Sequence, residues 1–219
     1  MRIAQVISAA DAATLRAELA AADWQDGRVS AGSQAATVKR NRQLPAGPLA
    51  QRVQTQVLAA LERQPLFLSA ALPLRIFPPH INRYGVGEHY GDHVDSAVRL
   101  LANGTRLRTD LSATLFLSEP EDYDGGELIV EQGNGIKLAA GDLVLYPATQ
   151  VHRVTPVTRG ERLAAFFWVQ SLVRSNEQRR LLFELDMSIL ALRQRLGEDE
   201  ETLRLMAVYH QLLQQWSQT

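Results

Sequence analysis

The stretch E-H-Y-G-D-H-V-D, Glu88 to Asp95, packs two histidines and two aspartates into eight residues. On a strand, residues two apart leave the same face about 6.5 to 7 Å from one another, so His93 and Asp95 can converge on one ion held at about 2.0 to 2.2 Å. His89 and His93 could converge only on a helix. Gly91 weakens a helix there, and Tyr90 stands where a helical zinc-protease motif carries its glutamate. Taken alone, His-x-Asp is short, and a hydrogen-bonded pair on a surface strand also explains it.

A third donor comes from G-D-L-V-L-Y-P-A-T-Q-V-H-R-V-T-P-V-T-R-G-E-R-L-A-A-F-F-W, where His152 follows a tight turn and Arg162 lies on the next strand. Two histidines and one carboxylate on one face of an ion make a facial triad, which leaves three adjacent positions of a six-coordinate Fe(II) open. A chelating 2-oxoacid and dioxygen would fill them. 2-Oxoglutarate bound in this way keeps a second carboxylate several ångströms away, where a planar guanidinium can grip it through paired hydrogen bonds, and Arg162 is placed for that. A structural histidine at 152 and a solvated strand-edge arginine at 162 are the plainer alternatives.

These residues need a frame. S-A-A-D-A-A-T-L-R-A-E-L-A-A-A-D-W offers Ser8 or Asp11 as N-cap of a first helix running to about Trp24. The glycine-containing, basic segment 26–45 lacks periodicity and reads as a long surface loop. After Pro48, Leu49, Val53, Val57 and Leu61 recur once per turn on one face of an amphipathic helix. From Pro65 to Ser171 the period becomes two: in L-S-A-T-L-F-L-S, Leu111, Ala113, Leu115 and Leu117 face one way and Ser112, Thr114 and Ser118 the other. E-L-I-V-E, I-K-L-A-A, D-L-V-L-Y-P, V-H-R-V-T-P-V and R-L-A-A-F-F-W-V-Q-S follow as short strands between turns, the pattern of an antiparallel sandwich or jelly roll. A Ser175-x-x-Gln178 capping box then opens a helix, and a second beyond Gly197 completes a helical hairpin.

Composition narrows the function. With 23 Lys+Arg against 24 Asp+Glu, the net charge of -1 gives no footprint for a nucleic-acid backbone or an anionic bilayer. The absence of cysteine excludes disulfides, thiolate nucleophiles and iron–sulfur clusters, and cytoplasmic residence is the expectation. No signal-peptide pattern opens the chain, and the longest apolar run, from Leu163, is far below the about 20 residues that span a bilayer.

These segments, and N-R-Y-G-V-G-E-H-Y-G-D-H-V-D, R-T-D-L-S-A-T-L-F-L-S-E-P-E-D-Y-D-G-G-E-L and W-Q-D-G-R-V-S-A-G-S-Q-A-A-T-V-K-R-N-R-Q-L-P with the C-terminal helices, resemble bacterial PKHD-type hydroxylases of the Fe(II)/2-oxoglutarate dioxygenase superfamily over essentially the whole chain. The resemblance implies an α+β fold, a double-stranded β-helix (jelly roll) with N-terminal supporting helices and a C-terminal helical hairpin. It divides the chain into supporting helices and loop (1–72), dioxygenase core (73–173) and hairpin (174–219). It implies iron on His93, Asp95 and His152, the co-substrate carboxylate on Arg162, and L-ascorbate in support. The reaction would hydroxylate an unidentified small-molecule or peptide substrate as 2-oxoglutarate and dioxygen become succinate and carbon dioxide.

Tyr84 and Tyr90 match tyrosines that line the oxoacid pocket of prolyl hydroxylases, or are core rings with satisfied hydroxyls; Tyr84 is taken as the co-substrate contact. Phe116 departs from a pocket tyrosine of some prolyl hydroxylases, which leaves Arg162 to draw help from Tyr84 or Thr114. Gly125 and Gly126 mark either a close backbone approach or a simple turn. His80, His89, His210 and Asp92 are set aside as surface or structural; the loop between Asp95 and Asp110, with Arg99, Arg106 and Arg108, either covers the site mouth or carries solvated charge, and solvated charge is the plainer account. Apolar Leu181, Leu182, Leu185, Leu190 and Leu205 would cover the sheet or a neighbouring subunit, and a homo-oligomer through the C-terminal helices is expected. Two other classes compete: a cupin-like metal jelly roll without oxoacid chemistry, and a non-catalytic binding module.

Overall fold

The computed structural model describes residues 1–218. Strand β1 (Arg2–Ile3) leads into helix α1 (Ala9–Ala20), whose N-cap is Ser8: its hydroxyl accepts the Asp11 N–H. The helix stops at Ala20, short of Trp24. The segment expected as a surface loop is instead folded, as β2 (Gln25–Asp26), a short α2 (Ser33–Thr37), β3 (Lys39–Arg40) and β4 (Arg42–Gln43). Strands of two residues carry no readable period, and the buried residues of β3 and β4, Lys39 and Gln43, with Asn41 between the two strands, are polar.

Helix α3 (Pro48–Glu62) begins with its proline at N1, and a second proline starts α4 (Pro65–Ala71), a helix where period-two strand was expected. The core strands are β5 (Pro73–Ile76), β6 (His80–Tyr84), β7 (His89–His93), β8 (Val98–Leu100), β9 (Arg106–Arg108) and β10 (Leu111–Phe116). After them come β11 (Tyr123–Gly125), β12 (Leu128–Val130), β13 (Leu143–Pro147), β14 (His152–Val154), β15 (Val157–Gly160) and β16 (Arg162–Ser171). The I-K-L-A-A segment forms no strand; Ile136 makes only an isolated bridge with Leu128.

All named strand pairings are antiparallel. An eight-stranded sheet runs β1-β13-β10-β16-β6-β4-β2 with β5 beside β16, and a four-stranded sheet runs β12-β14-β7-β3. Alternation divides the large sheet into two faces. Leu111, Ala113 and Leu115 of β10 and Leu163, Ala165, Phe167 and Val169 of β16 pack with Leu15 and Leu19 of α1, Val53, Val57 and Leu61 of α3 and Phe67 of α4. On the opposite face Tyr84, Phe116, Val144 and Tyr146 pack with Leu128 and Val154 of the small sheet. The cavity lies between the sheets.

The C-terminal hairpin comprises α5 (Asn176–Leu196), capped by the Ser175 hydroxyl, and α6 (Glu200–Trp216), capped by Asp199. Leu182 and Ile189 of α5 and Tyr209 of α6 bury themselves with Leu72 and Val173, and Leu185 and Leu205 pack against that cluster. Leu181 and Leu190 stay exposed. Among the described residues no helix is long and apolar enough to cross a membrane.

Candidate metal centre

β7 and β14 pair so that His93 stands directly opposite His152. Cross-strand partners on one face approach closely, and the two ring centroids are 4.1 Å apart. Each ring turns Nδ1 onto the carbonyl two residues before it, Gly91 at 2.8 Å for His93 and Gln150 at 3.0 Å for His152. A carbonyl only accepts, so both Nδ1 atoms carry a proton, which leaves Nε2 as the nitrogen that each ring can offer to a metal. Burial, and then the neighbouring His152, hold His93 down to about 4. The ring is therefore neutral near pH 7, the form that a metal binds.

Asp95 lies two residues past His93, just beyond the end of β7. Its Oδ2 is 3.6 Å from His152 Nε2 and accepts a 2.5 Å hydrogen bond from the Ser112 hydroxyl on β10. One donor atom from each of His93, Asp95 and His152 lies within 4.8 Å of the others. Tyr90 stacks on the His93 ring at 3.5 Å and 13°, and Tyr146 meets His152 edge-on at 5.1 Å. Burial raises both phenols above their ordinary range, so both stay neutral.

Arg162 opens β16 opposite Tyr84 on β6. It is 2 % exposed, and its Nε and Nη2 have no hydrogen-bond partner. The guanidinium carbon is 5.2 Å from the ring centroids of both Tyr84 and Phe116. The Tyr84 hydroxyl is 3.4 Å from Asn82 Nδ2, which donates to it. A Cβ on Gly126, whose φ is +61°, would lie 3.1 Å from Arg162 Cδ and 3.0 Å from Tyr123, so the backbone there does pass close to bulky groups. Two imidazoles and a carboxylate are a donor set that suits Fe(II), and a buried guanidinium with orphaned N–H groups suits a carboxylate partner.

The cavity, about 250 Å³, has another cationic end that the sequence reading missed. Lys39 on β3 is 2 % exposed and donates to Ser30 Oγ at 3.0 Å. Burial, then the nearby Arg99 charge, draws its ammonium down to about 8. Arg99, expected as solvated charge, sits on the β8–β9 hairpin with its guanidinium 3.9 Å from the Trp168 ring centroid, and both terminal nitrogens donate to the Ser30 carbonyl at 3.2 Å. Arg108 is likewise engaged, donating to Asp110 at 2.7 Å. His80 packs against Phe77, Phe166 and Trp168, and burial holds it down to about 4. Asp92 is exposed and paired with Arg153 at 3.1 Å, as its opposite strand face requires.

Residues 79–170 match the 2OG-Fe(II) oxygenase superfamily, and residues 176–218 match the PKHD-type hydroxylase C-terminal domain. A PKHD-type hydroxylase of Verminephrobacter eiseniae is 56 % identical over 224 residues, covering 99 % of this chain and 98 % of that one. Another, from a Polaromonas species, is 54 % identical over 225 residues, covering 100 % and 99 %. Among solved structures, a Pseudomonas putida prolyl-4-hydroxylase superposes with a TM-score of 0.51 at 24 % identity, covering 78 % of this chain and 91 % of that one. HygX from Streptomyces hygroscopicus, solved with nickel and 2-oxoglutarate bound, gives 0.51 at 19 % identity, covering 76 % and 80 %. These structural likenesses speak to fold.

Proposed function

The chain belongs to the PKHD-type hydroxylases of the 2OG-Fe(II) oxygenase superfamily, and from that premise we propose that His93, Asp95 and His152 hold its iron while Arg162, beside Tyr84, holds its 2-oxoglutarate. It is a 2-oxoglutarate-dependent Fe(II) dioxygenase whose substrate is unidentified. The ion, with the oxoacid bound to it, supplies the oxidising chemistry that couples decarboxylation of 2-oxoglutarate to hydroxylation of a C–H bond. Membership in this family sets aside the cupin-like and non-catalytic readings.

The chain's own part is binding, orientation and exclusion of water. The backbone carbonyls of Gly91 and Gln150 fix the two imidazole tautomers and aim both Nε2 atoms inward. The Ser112 hydroxyl holds one carboxylate oxygen of Asp95 in place. Arg162 offers its free Nε and Nη2 to the distal carboxylate of the co-substrate, with Tyr84 and Phe116 walling it from water. The observation that carries the assignment is the convergence of the three donors within 4.8 Å.

The two sheets facing across the Tyr84–Val154 core read as a double-stranded β-helix. L-Ascorbate as a supporting reductant rests on family resemblance. Cytoplasmic residence rests on the lack of cysteine, and a homo-oligomer through the C-terminal helices on the exposed Leu181, Leu190, Leu203 and Val208.

Anaerobic addition of Fe(II) and 2-oxoglutarate should produce a visible metal-to-ligand charge-transfer band in the wild-type protein and none in Asp95→Ala. An undiminished band, or undiminished succinate release, in that variant would remove Asp95 from the ligand set.

A further inference from the structure

We propose that the substrate carries a carboxylate, received by Lys39 and Arg99, on an apolar body that lies along Phe166 and Trp168. This rests on the iron and 2-oxoglutarate assignment above and adds the class of molecule that enters beside them.

The charge of the cavity points there first. Its lining contains one carboxylate, Asp95, against three cations, Lys39, Arg99 and Arg162. Loading it with a divalent ion and a dicarboxylate adds no net charge, so two positive charges persist in the filled site. Among the described residues neither Lys39 nor Arg99 has a carboxylate within 4.0 Å; both are satisfied only by Ser30, at its hydroxyl and its carbonyl. Cations removed from water without a counter-ion are costly, and an anionic ligand offsets that cost.

Position separates this pair from the co-substrate's arginine. Arg162, Ala164, Phe166 and Trp168 follow one another along the cavity-facing side of β16. Six residue steps part the first from the last, about 20 Å at the usual rise. A five-carbon diacid anchored at Arg162 cannot span that distance, so the far cations are left for a second molecule. They stand beside the metal ligands: Ser112, which bonds Asp95, pairs with Trp168, and the Lys39 ammonium is 5.0 Å from the ring of Tyr90, which stacks on His93.

The surrounding surface defines the rest of the ligand. The Arg99 guanidinium carbon is 3.9 Å from the Trp168 ring centroid and 5.2 Å from that of Phe77, and the Lys39 ammonium is 5.4 Å from the Phe166 centroid. The Ser30 carbonyl takes one N–H from each terminal nitrogen of Arg99, and the guanidinium's remaining N–H groups are available to a planar anion. The aromatic faces next to it receive an apolar carbon skeleton.

The test uses protein loaded anaerobically with Fe(II) and 2-oxoglutarate, titrated with matched acid and amide probes: phenylacetate and phenylacetamide, indole-3-acetate and its amide, N-acetylphenylalanine and its amide. Acids should shift the charge-transfer band at about tenfold to a hundredfold lower concentration than their amides. Lys39→Met and Arg99→Gln should each erase that preference while the band itself persists. Equal responses to acid and amide, no response to any acid, or loss of the band through displacement of 2-oxoglutarate would overturn the proposal, as would an acid preference retained in both variants. Should a variant fail to fold, the acid and amide comparison on the unmodified protein decides alone. Absence of the band in unmodified protein before any probe is added would overturn the iron and oxoacid assignment instead.

Discussion

The two faces of the large sheet are made by the same strands and differ by one residue of register. On β10, Leu111, Ala113 and Leu115 meet the helices, while Ser112 and Thr114 turn to the cavity. On β16, Leu163, Ala165, Phe167 and Val169 are apolar to the helix side, while Arg162 faces inward with two N–H groups unsatisfied. One face gains its stability from area removed from water; the other keeps buried polar groups, and two N–H groups of Arg162 among them have no partner. Stability and chemistry thus lie on opposite faces of shared backbone, and substitutions on neighbouring residues should fail in different ways.

Three substitutions bring that contrast to measurement. Arg162→Ala should raise the 2-oxoglutarate requirement by the 2 to 5 kcal/mol typical of losing one partner of a buried charged pair, about thirtyfold to several thousandfold. Isothermal titration of 2-oxoglutarate should show this with iron binding intact; loss of iron in this variant would contradict the assigned role. Leu115→Ala, on the helix face, should cost about 2 to 5 kcal/mol of stability through lost transfer energy and the cavity left behind. Denaturant unfolding should show that loss while oxoacid affinity stays unchanged in the folded protein, and a weakened affinity would show that the faces are not independent. Ser112→Ala, three residues from Leu115, should leave stability nearly unaltered and weaken metal affinity about tenfold to a hundredfold, as loss of a partner that orients a ligand typically does. A competition assay with a fluorescent chelator reads that change, and an unchanged affinity would restrict Ser112 to packing.

The donors His93, Asp95 and His152 were legible because residue type and local spacing carry their chemistry, and the helices because apolar residues recur once per turn. Other features depend on pairings between distant segments. Nothing around Ser112 tells that its hydroxyl will meet Asp95, because that contact requires β10 to lie beneath the segment after β7. Lys39 lay unremarked in a segment read as a surface loop, and Arg99 looked like solvated charge; only the fold brings both onto Ser30. Gly125 reads equally as a turn or as a close backbone approach until the backbone of Pro156 is seen beside it, where a Cβ would lie 2.0 Å from the carbonyl oxygen. P-L-F-L-S-A-A was misread because seven residues are too few to separate a buried helix from a buried strand.

The cross-strand placement of His93 and His152 has a mechanical side. An ion gripped by both would rivet two neighbouring strands of the smaller sheet, one on each side of the β7–β14 seam. Stripping the metal would unfasten the roof over the cavity while the helix-backed floor beneath kept its own apolar support.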